Sequence, residues 1–196
     1  MSAGWTDRMQ RVRDLALVVP ALVVGAPLGL ARAAAVKVED GGPVFFRQPR
    51  PGRDGAPFSI LKFRSLGTHP HDPNRPDLVA TRVGGWMRRW GIDELPQLWN
   101  VLRGEMSLVG PRPVLFGEIA HYDAEQRLRL AVRPGLTGWA QIHGRNALTW
   151  QERTVLDVWY VRLRSLWRDA RILLRTPLAL LRGEGVYGPG NQDLFD

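Results

Sequence analysis

The longest run without a charged side chain is Leu15 to Ala31, "LALVVPALVVGAPLGLA", 17 residues preceded by Arg8, Arg11, Arg13 and Asp14. Three readings fit this pattern. A helix that spans a bilayer needs roughly 20 apolar residues, and this run is shorter and holds Pro20 and Pro27. A secretory signal has a basic start, an apolar middle and small residues at its end, and "ARAAA" supplies the last of these. A re-entrant helix–break–helix dips into one leaflet and returns, with its freed backbone groups satisfied again at the break. Pro27, after Gly25 and Ala26, offers that break, because proline removes a helical hydrogen bond.

Beyond this segment the apolar runs shorten. "PVFF" and "FSILKF", separated by the turn chemistry of "RPGRDG", predict a β-hairpin within Gly41 to Leu66. Residues 67–80, "GTHPHDPNRPDLVA", read as a loop. His69, His71 and Asp72 lie in it, either as a metal cluster or as a solvated loop in which nothing fixes ligand geometry. From Arg82 to Arg103 the pattern is helical, with Trp86, Met87, Trp90, Leu95, Leu98, Trp99 and Leu102 on the apolar side. Pro96 fits only a first turn, so a helix starts near Asp93, a good N-cap residue. Arg133 to Asn146 reads as a loop-rich connector, punctuated by Gly and Pro. Glu152 to Arg182 predicts a long helical tract interrupted at Pro177, in which Trp, Leu and Ile alternate with Arg162, Arg164, Arg168, Arg171 and Arg175. Arg stems can lie on apolar surface with their heads in water. The tract therefore suits a helix in the plane of a membrane interface, or an amphipathic helix on a soluble core.

Composition narrows the classes. The 196 residues suffice for one domain with a real core, and 44% hydrophobic against 23% charged residues excludes a disordered chain. A net charge of +8 favours an anionic partner: nucleic acid, anionic lipid or a phosphorylated small molecule. The absence of cysteine excludes disulfides, thiol nucleophiles and Cys-ligated zinc. Eight Trp beside many Arg suit a membrane–water interface, or simply fill a core.

The candidate chemistry sits in "WGIDELPQLWNVLRGEMSLVGPRP". A helix N-terminus favours negative charge, whether the Asp93 carboxylate or a phosphate. Glu94 adds a second hard oxygen, and Mg²⁺ is commonly held by one or two carboxylates plus substrate phosphates. Arg112, between Pro111 and Pro113, presents a fork suited to phosphate oxygens. This set suggests phosphoryl transfer with a carboxylate nucleophile; the plainer alternative is that Asp93 only caps a helix.

The chain resembles the monotopic phosphoglycosyl transferases, also called the bacterial sugar transferase family. The resemblance covers nearly the whole length and rests on six ordered stretches: "RVRD" before the Pro-broken apolar run, "RQPRPGRDG", "LKFRS", "IDELPQLWNVLRGEMSLVGPRP", "VRPGLTGWAQIHGRN" and "LDVWYV". It implies transfer of a sugar-1-phosphate from a UDP-sugar to a polyprenyl (undecaprenyl) phosphate with release of UMP, as the first membrane step of a bacterial glycoconjugate pathway. By position, it implies that Asp93 is the nucleophile that carries a covalent phosphosugar and that Glu94 is the Mg²⁺-binding acid. Lys62, Arg64, Arg88 and Arg112 fall at phosphate-binding positions, and Arg145, Asn146 and Asp157 at nucleotide- or sugar-binding ones. Arg11 and Asp14 fall at the anchor of the re-entrant helix and Pro27 at its break, which decides against a signal peptide.

The implied fold is α+β and mainly helical, membrane-monotopic, with an N-terminal re-entrant helix–break–helix, a β-hairpin and interfacial amphipathic helices. Residues 1–40 form the membrane helix region and 41–196 one catalytic domain, on the phospholipid bilayer at the cytoplasmic face of the bacterial inner membrane. Three departures stand out. Gln10 replaces a common basic residue, which weakens an expected headgroup contact; Pro20 adds a second break; His143 replaces a common Asn. Two rival readings remain: direct attack by the polyprenyl phosphate with Asp93 only positioning metal, or a basic binding module without catalysis. The chain has no recognised nucleic-acid motif, so no nucleic-acid partner is expected. Sugar specificity is expected in residues 67–80 and around His143.

Overall fold

The computed structural model describes residues 3–41, 43–64, 91–144 and 147–182. Helix α1 (Ala3–Asp40) is a single 38-residue helix with Pro20 and Pro27 inside it. No non-helical link divides it, so the expected helix–break–helix is one helical segment here. Proline removes one hydrogen bond and kinks a helix; flanked by strong helix formers such as Ala and Leu, neither proline ends this one. The helix is long and apolar enough to cross a membrane. Val18 and Val36 are buried against the rest of the chain, whereas Val19, Val23, Val24, Leu28 and Leu30 are exposed.

Strands β1 (Phe45–Pro51) and β2 (Pro57–Phe63) form the expected antiparallel hairpin, in register from Phe45 opposite Phe63 to Pro51 opposite Pro57. Its turn places Asp54 at φ 56° and Gly55 at φ 77°, left-handed values that Asp and Gly tolerate better than most residues. Pro49 and Pro51 are compatible with β1 because it is an edge strand. The other edge of β2 is held by a side chain. Buried Asn100 accepts from the Leu61 amide at 3.0 Å and donates to the Ser59 carbonyl at 2.7 Å, so it stands in for a third strand.

Asn100 belongs to helix α2 (Gln97–Arg103), which ends at Gly104 with φ 80°. Strand β3 (Ser107–Val109) then pairs in parallel with β4 (Gly135–Thr137). Short helix α3 (Phe116–Ala120) and a 3₁₀ segment, Gln126–Ala131, lie between them. Helix α4 (Trp139–Ile142) follows β4 directly. Residues 133–146, expected as a loop-rich connector, therefore contain a strand and a helix. Their glycines have a steric reason: an ideal Cβ on Gly135 would lie 2.1 Å from the Gly110 nitrogen, and one on Gly138 would lie 2.2 Å from the Gly110 oxygen.

Helices α5 (Trp150–Leu163) and α6 (Leu166–Arg182) close the fold. Thr149 and Glu152 form a capping box at the start of α5. The interruption expected at Pro177 falls at Arg164 and Ser165 instead, and Pro177 lies inside α6. Arg164 turns out of the helix to pair with Asp7 of α1, and the Ser165 hydroxyl accepts from the Arg168 amide, which restarts the helix.

The core joins Val18 of α1, Phe58 and Ile60 of β2, Val101 of α2, Val109 of β3, Tyr160 of α5 and Ile172 of α6. A buried polar cluster ties α1 to the same body. Asp169 accepts from Gln10 Nε2 at 2.6 Å, from the Tyr160 hydroxyl at 2.7 Å and from the Arg13 guanidinium. Gln10 is thus an interior residue, and the headgroup contact expected at its position does not apply.

Candidate active site

The site is built where the hairpin, the approach to α2, and the chain after β3 face α5. Left-handed Gly91, φ 65°, starts a 3₁₀ turn, Ile92–Glu94, that leads through Leu95 and Pro96 into α2. Asp93 does not serve as the N-cap of α2; that position is taken by Pro96, without a side-chain cap. Pro96 lacks an N–H, so it fits where a helix leaves amides unsatisfied, and Asp93 lies further upstream than the sequence suggested. Its side chain is buried in the wall of a cleft of about 420 Å³.

Glu94 is held by two cations. Lys62 on β2 donates to its Oε1 at 2.9 Å, and Arg112 reaches Oε1 at 2.5 Å and Oε2 at 3.2 Å. Burial alone would push the Glu94 carboxyl up, but the charges of Arg112 and Lys62 outweigh it and hold it far below the usual range. In return Glu94, with Asp93 adding to it, raises the Arg112 guanidinium. Glu94 is therefore ionised at any physiological pH. Two adjacent acids, one of them fixed as a carboxylate, fit a Mg²⁺ ion that takes its remaining ligands from phosphate and water. Among the described residues there is no group of three or more His, Cys, Asp or Glu placed to hold a metal by themselves.

Lys62, Arg64, Asp93, Arg112 and Asp157 all line this one cleft. Asp157 forms a buried pair with Arg129, 2.6 Å from Nη2 to Oδ2, and burial pushes its carboxyl up to about 6 against the pull of Arg129 and Arg153. Arg129 also donates to the Tyr122 hydroxyl at 2.5 Å and to the Arg112 carbonyl at 3.2 Å. Arg88, Arg145 and Asn146 lie outside the described residues, as do residues 67–80 with His69, His71 and Asp72. His143 is exposed, lies against Trp139 with the rings tilted by 45° and their centroids 4.2 Å apart, and engages the Trp139 carbonyl through Nδ1 at 2.8 Å.

Arg11 and Asp14 are separate anchors. The Arg11 guanidinium donates to the Val101 and Leu102 carbonyls at the end of α2, where cations are favoured. Asp14 accepts from Ser107 Oγ at 2.6 Å and pairs with Arg13.

The cleft also holds Arg50, Gln97, Glu118, Arg129, Gln141 and Arg153, which the sequence did not single out. Arg50 lies within the quoted "RQPRPGRDG". Arg153 lies one helical turn before Asp157, a spacing that puts both on one face of α5. Gln97 and Gln141 likewise lie within the quoted "IDELPQLWNVLRGEMSLVGPRP" and "VRPGLTGWAQIHGRN", so only Glu118 and Arg129 carried no such signal.

A family model described as bacterial sugar transferase matches residues 5–183. The chain belongs to the bacterial sugar transferase family. It is a phosphoglycosyl transferase, as its motifs implied. It is 43% identical to an uncharacterized sugar transferase, EpsL, of Bacillus subtilis, over 91% of this chain and 90% of that one. It is also 43% identical to a UDP-glucose:undecaprenyl-phosphate glucose-1-phosphate transferase of Caulobacter vibrioides, over 92% and 73% of the two chains. A more distant relative, 35% identical, is an undecaprenyl-phosphate galactose phosphotransferase of Salmonella typhimurium, of whose length the match spans 42%.

Proposed function

We propose that the chain transfers a sugar-1-phosphate from a UDP-sugar to undecaprenyl phosphate and releases UMP. The observation that carries this reading is a buried Asp93 in a cationic cleft, beside a Glu94 clamped by Lys62 and Arg112. The activity in the name of the Caulobacter relative supports the donor and acceptor classes.

In the first step an Asp93 carboxylate oxygen attacks the β-phosphorus. The bond from that phosphorus to the bridging oxygen breaks, and UMP leaves with the electron pair. The phosphosugar stays on Asp93 as an acyl phosphate. In the second step an oxygen of the polyprenyl phosphate attacks the same phosphorus, the acyl-phosphate bond breaks, and Asp93 returns as a carboxylate. Arg112 and Lys62 offset the charge that builds up when anion meets anion. Glu94 and the substrate phosphates would hold Mg²⁺, which supplies further charge neutralisation.

The covalent intermediate lets a water-soluble donor and a lipid acceptor use one site in turn. That role needs a membrane address. The exposed apolar face of α1 supports insertion into one leaflet, with the helix bending at Pro27 and returning to the cytoplasmic face of the inner membrane. On α6 the exposed Trp167, Leu174, Leu178 and Leu181 recur at helical spacing, alongside Arg171 and Arg175. Such a stripe supports a helix lying in the interface plane, with its cations near anionic headgroups. The reaction is then the first membrane step of a bacterial glycoconjugate pathway.

The test is UMP release from a panel of UDP-sugars, with and without undecaprenyl phosphate. Sustained release that depends on one UDP-sugar and on the lipid supports the reading. Nucleic-acid binding with no UMP release from any donor would overturn it.

A further inference from the structure

We propose that Asp157 forms a subsite for a hydroxyl of the transferred sugar, an inference that rests on the transfer reaction proposed above. Its side chain is 2% exposed and lines the cleft. Arg129 occupies Oδ2 at 2.6 Å, while Oδ1 is buried with no hydrogen-bond partner. Buried polar atoms in native proteins are nearly always hydrogen-bonded, so an orphan carboxylate oxygen in the wall of a substrate cleft marks a contact that the substrate completes.

The chemistry of that contact is restricted. An ionised carboxylate only accepts, so its partner must carry an O–H or N–H. A phosphate oxygen is excluded by charge, which separates this end of the cleft from the Lys62 and Arg112 end. Gln141, in the wall of the same cleft on α4, also has its Oε1 buried without a partner. Two acceptors from neighbouring helices suit a group with several hydroxyls.

Position selects the sugar over the uridine. Arg129 Nη2 reaches both Asp157 Oδ2 and, at 3.2 Å, the Arg112 carbonyl. The acceptor therefore stands next to the residue that clamps Glu94 beside the nucleophile. The sugar is bonded through one oxygen to the phosphorus that Asp93 attacks; the uridine is one phosphate further off. A site built to bond a hydroxyl discriminates strongly against an analogue that lacks it, so this subsite contributes to selection among sugars.

The experiment uses the full chain in nanodiscs with undecaprenyl phosphate and the UDP-sugar it turns over, drawn from a panel that includes UDP-glucose and UDP-galactose. Deoxy analogues of that sugar are assayed with wild type and Asp157→Asn, and UMP is titrated as a competitive inhibitor. Removal of one particular hydroxyl is expected to lower wild-type kcat/KM about tenfold or more, in line with a hydrogen bond to a charged group. Asp157→Asn is expected to lower kcat/KM for the parent sugar by a similar factor, mainly through KM, and to lose little more at that position. UMP inhibition should stay within about twofold of wild type. A parallel loss of UMP inhibition would overturn the proposal by moving the subsite to the uridine. So would a wild-type enzyme indifferent to every deoxy position, or a deoxy penalty undiminished in the variant. If Asp157→Asn does not fold, Gln141→Leu is judged by the same criteria. A wild type that releases no UMP from any donor refutes the transfer reading itself, which is a different failure.

Discussion

Glu94 and Asp157 are acids of one site driven in opposite directions by their neighbours. Glu94 is stabilised as an anion by Arg112 and Lys62 despite its burial, so its native carboxyl binds protons less readily than its unfolded one. The stability it contributes is present above about pH 4.5 and is lost as pH falls through its depressed native value. Glu94→Gln should therefore be less stable than wild type at pH 7, with the gap closing in acid, as thermal unfolding at several pH values would show. Its kcat should fall by about 10² or more, because the charges around the nucleophile no longer balance. Asp157 behaves the other way. Burial pushes it from 3.8 up to about 6, so between those values its native form holds a proton that the unfolded form has lost; stability declines across that window and levels off above it, where the native carboxyl is ionised. Arg129→Leu leaves that buried acid without its partner and should cost about 3–5 kcal/mol. The deficit should be smaller at pH 5 than at pH 8, because the protonated acid needs no counter-ion.

At the scale of elements, the hairpin was legible because its strands are long enough to show and "RPGRDG" carries recognisable turn chemistry. The β3–β4 pair was not. Each strand is three residues, and its partner lies far along the chain, so no local period announces it. The signal lies in Gly110, Gly135 and Gly138, where two backbones approach too closely for a Cβ. Gly135→Ala tests this. Its Cβ would collide with the Gly110 backbone, so the variant should fail to fold or lose several kcal/mol by denaturant titration, far beyond a propensity effect of about 1 kcal/mol. The helix break was placed at Pro177 by proline chemistry alone. The tertiary pull of Asp7 on Arg164, invisible in sequence, set it thirteen residues earlier. For Asp93 the acidic pair was found by its setting, but the N-cap role assigned to it belongs to a helix that starts later.

For the whole molecule, the membrane reading rests on which apolar surface is left uncovered. Trp5, Trp99, Trp159 and Trp167 are exposed, so among the described residues much of the Trp faces outward instead of filling the core. Much of the site was legible because its residues fall in contiguous motifs. The rest, Glu118 and Arg129 among it, became visible only when distant segments closed around one cleft. The proposed return of α1 to the same face is open to labelling. The chain has no cysteine, so Gly4→Cys and Val38→Cys each provide a unique thiol at an exposed end of α1. Both should react with an impermeant maleimide only from the cytoplasmic side; reaction from opposite sides would make α1 a spanning helix. The central claim is the covalent step at Asp93. Intact-mass and peptide analysis of the protein incubated with its UDP-sugar, without acceptor, measures it directly. The account predicts a phosphosugar adduct on Asp93, UMP released in equal amount, and neither in Asp93→Asn. UMP release only in the presence of undecaprenyl phosphate, with no adduct on any residue, would contradict it and leave direct attack by the lipid.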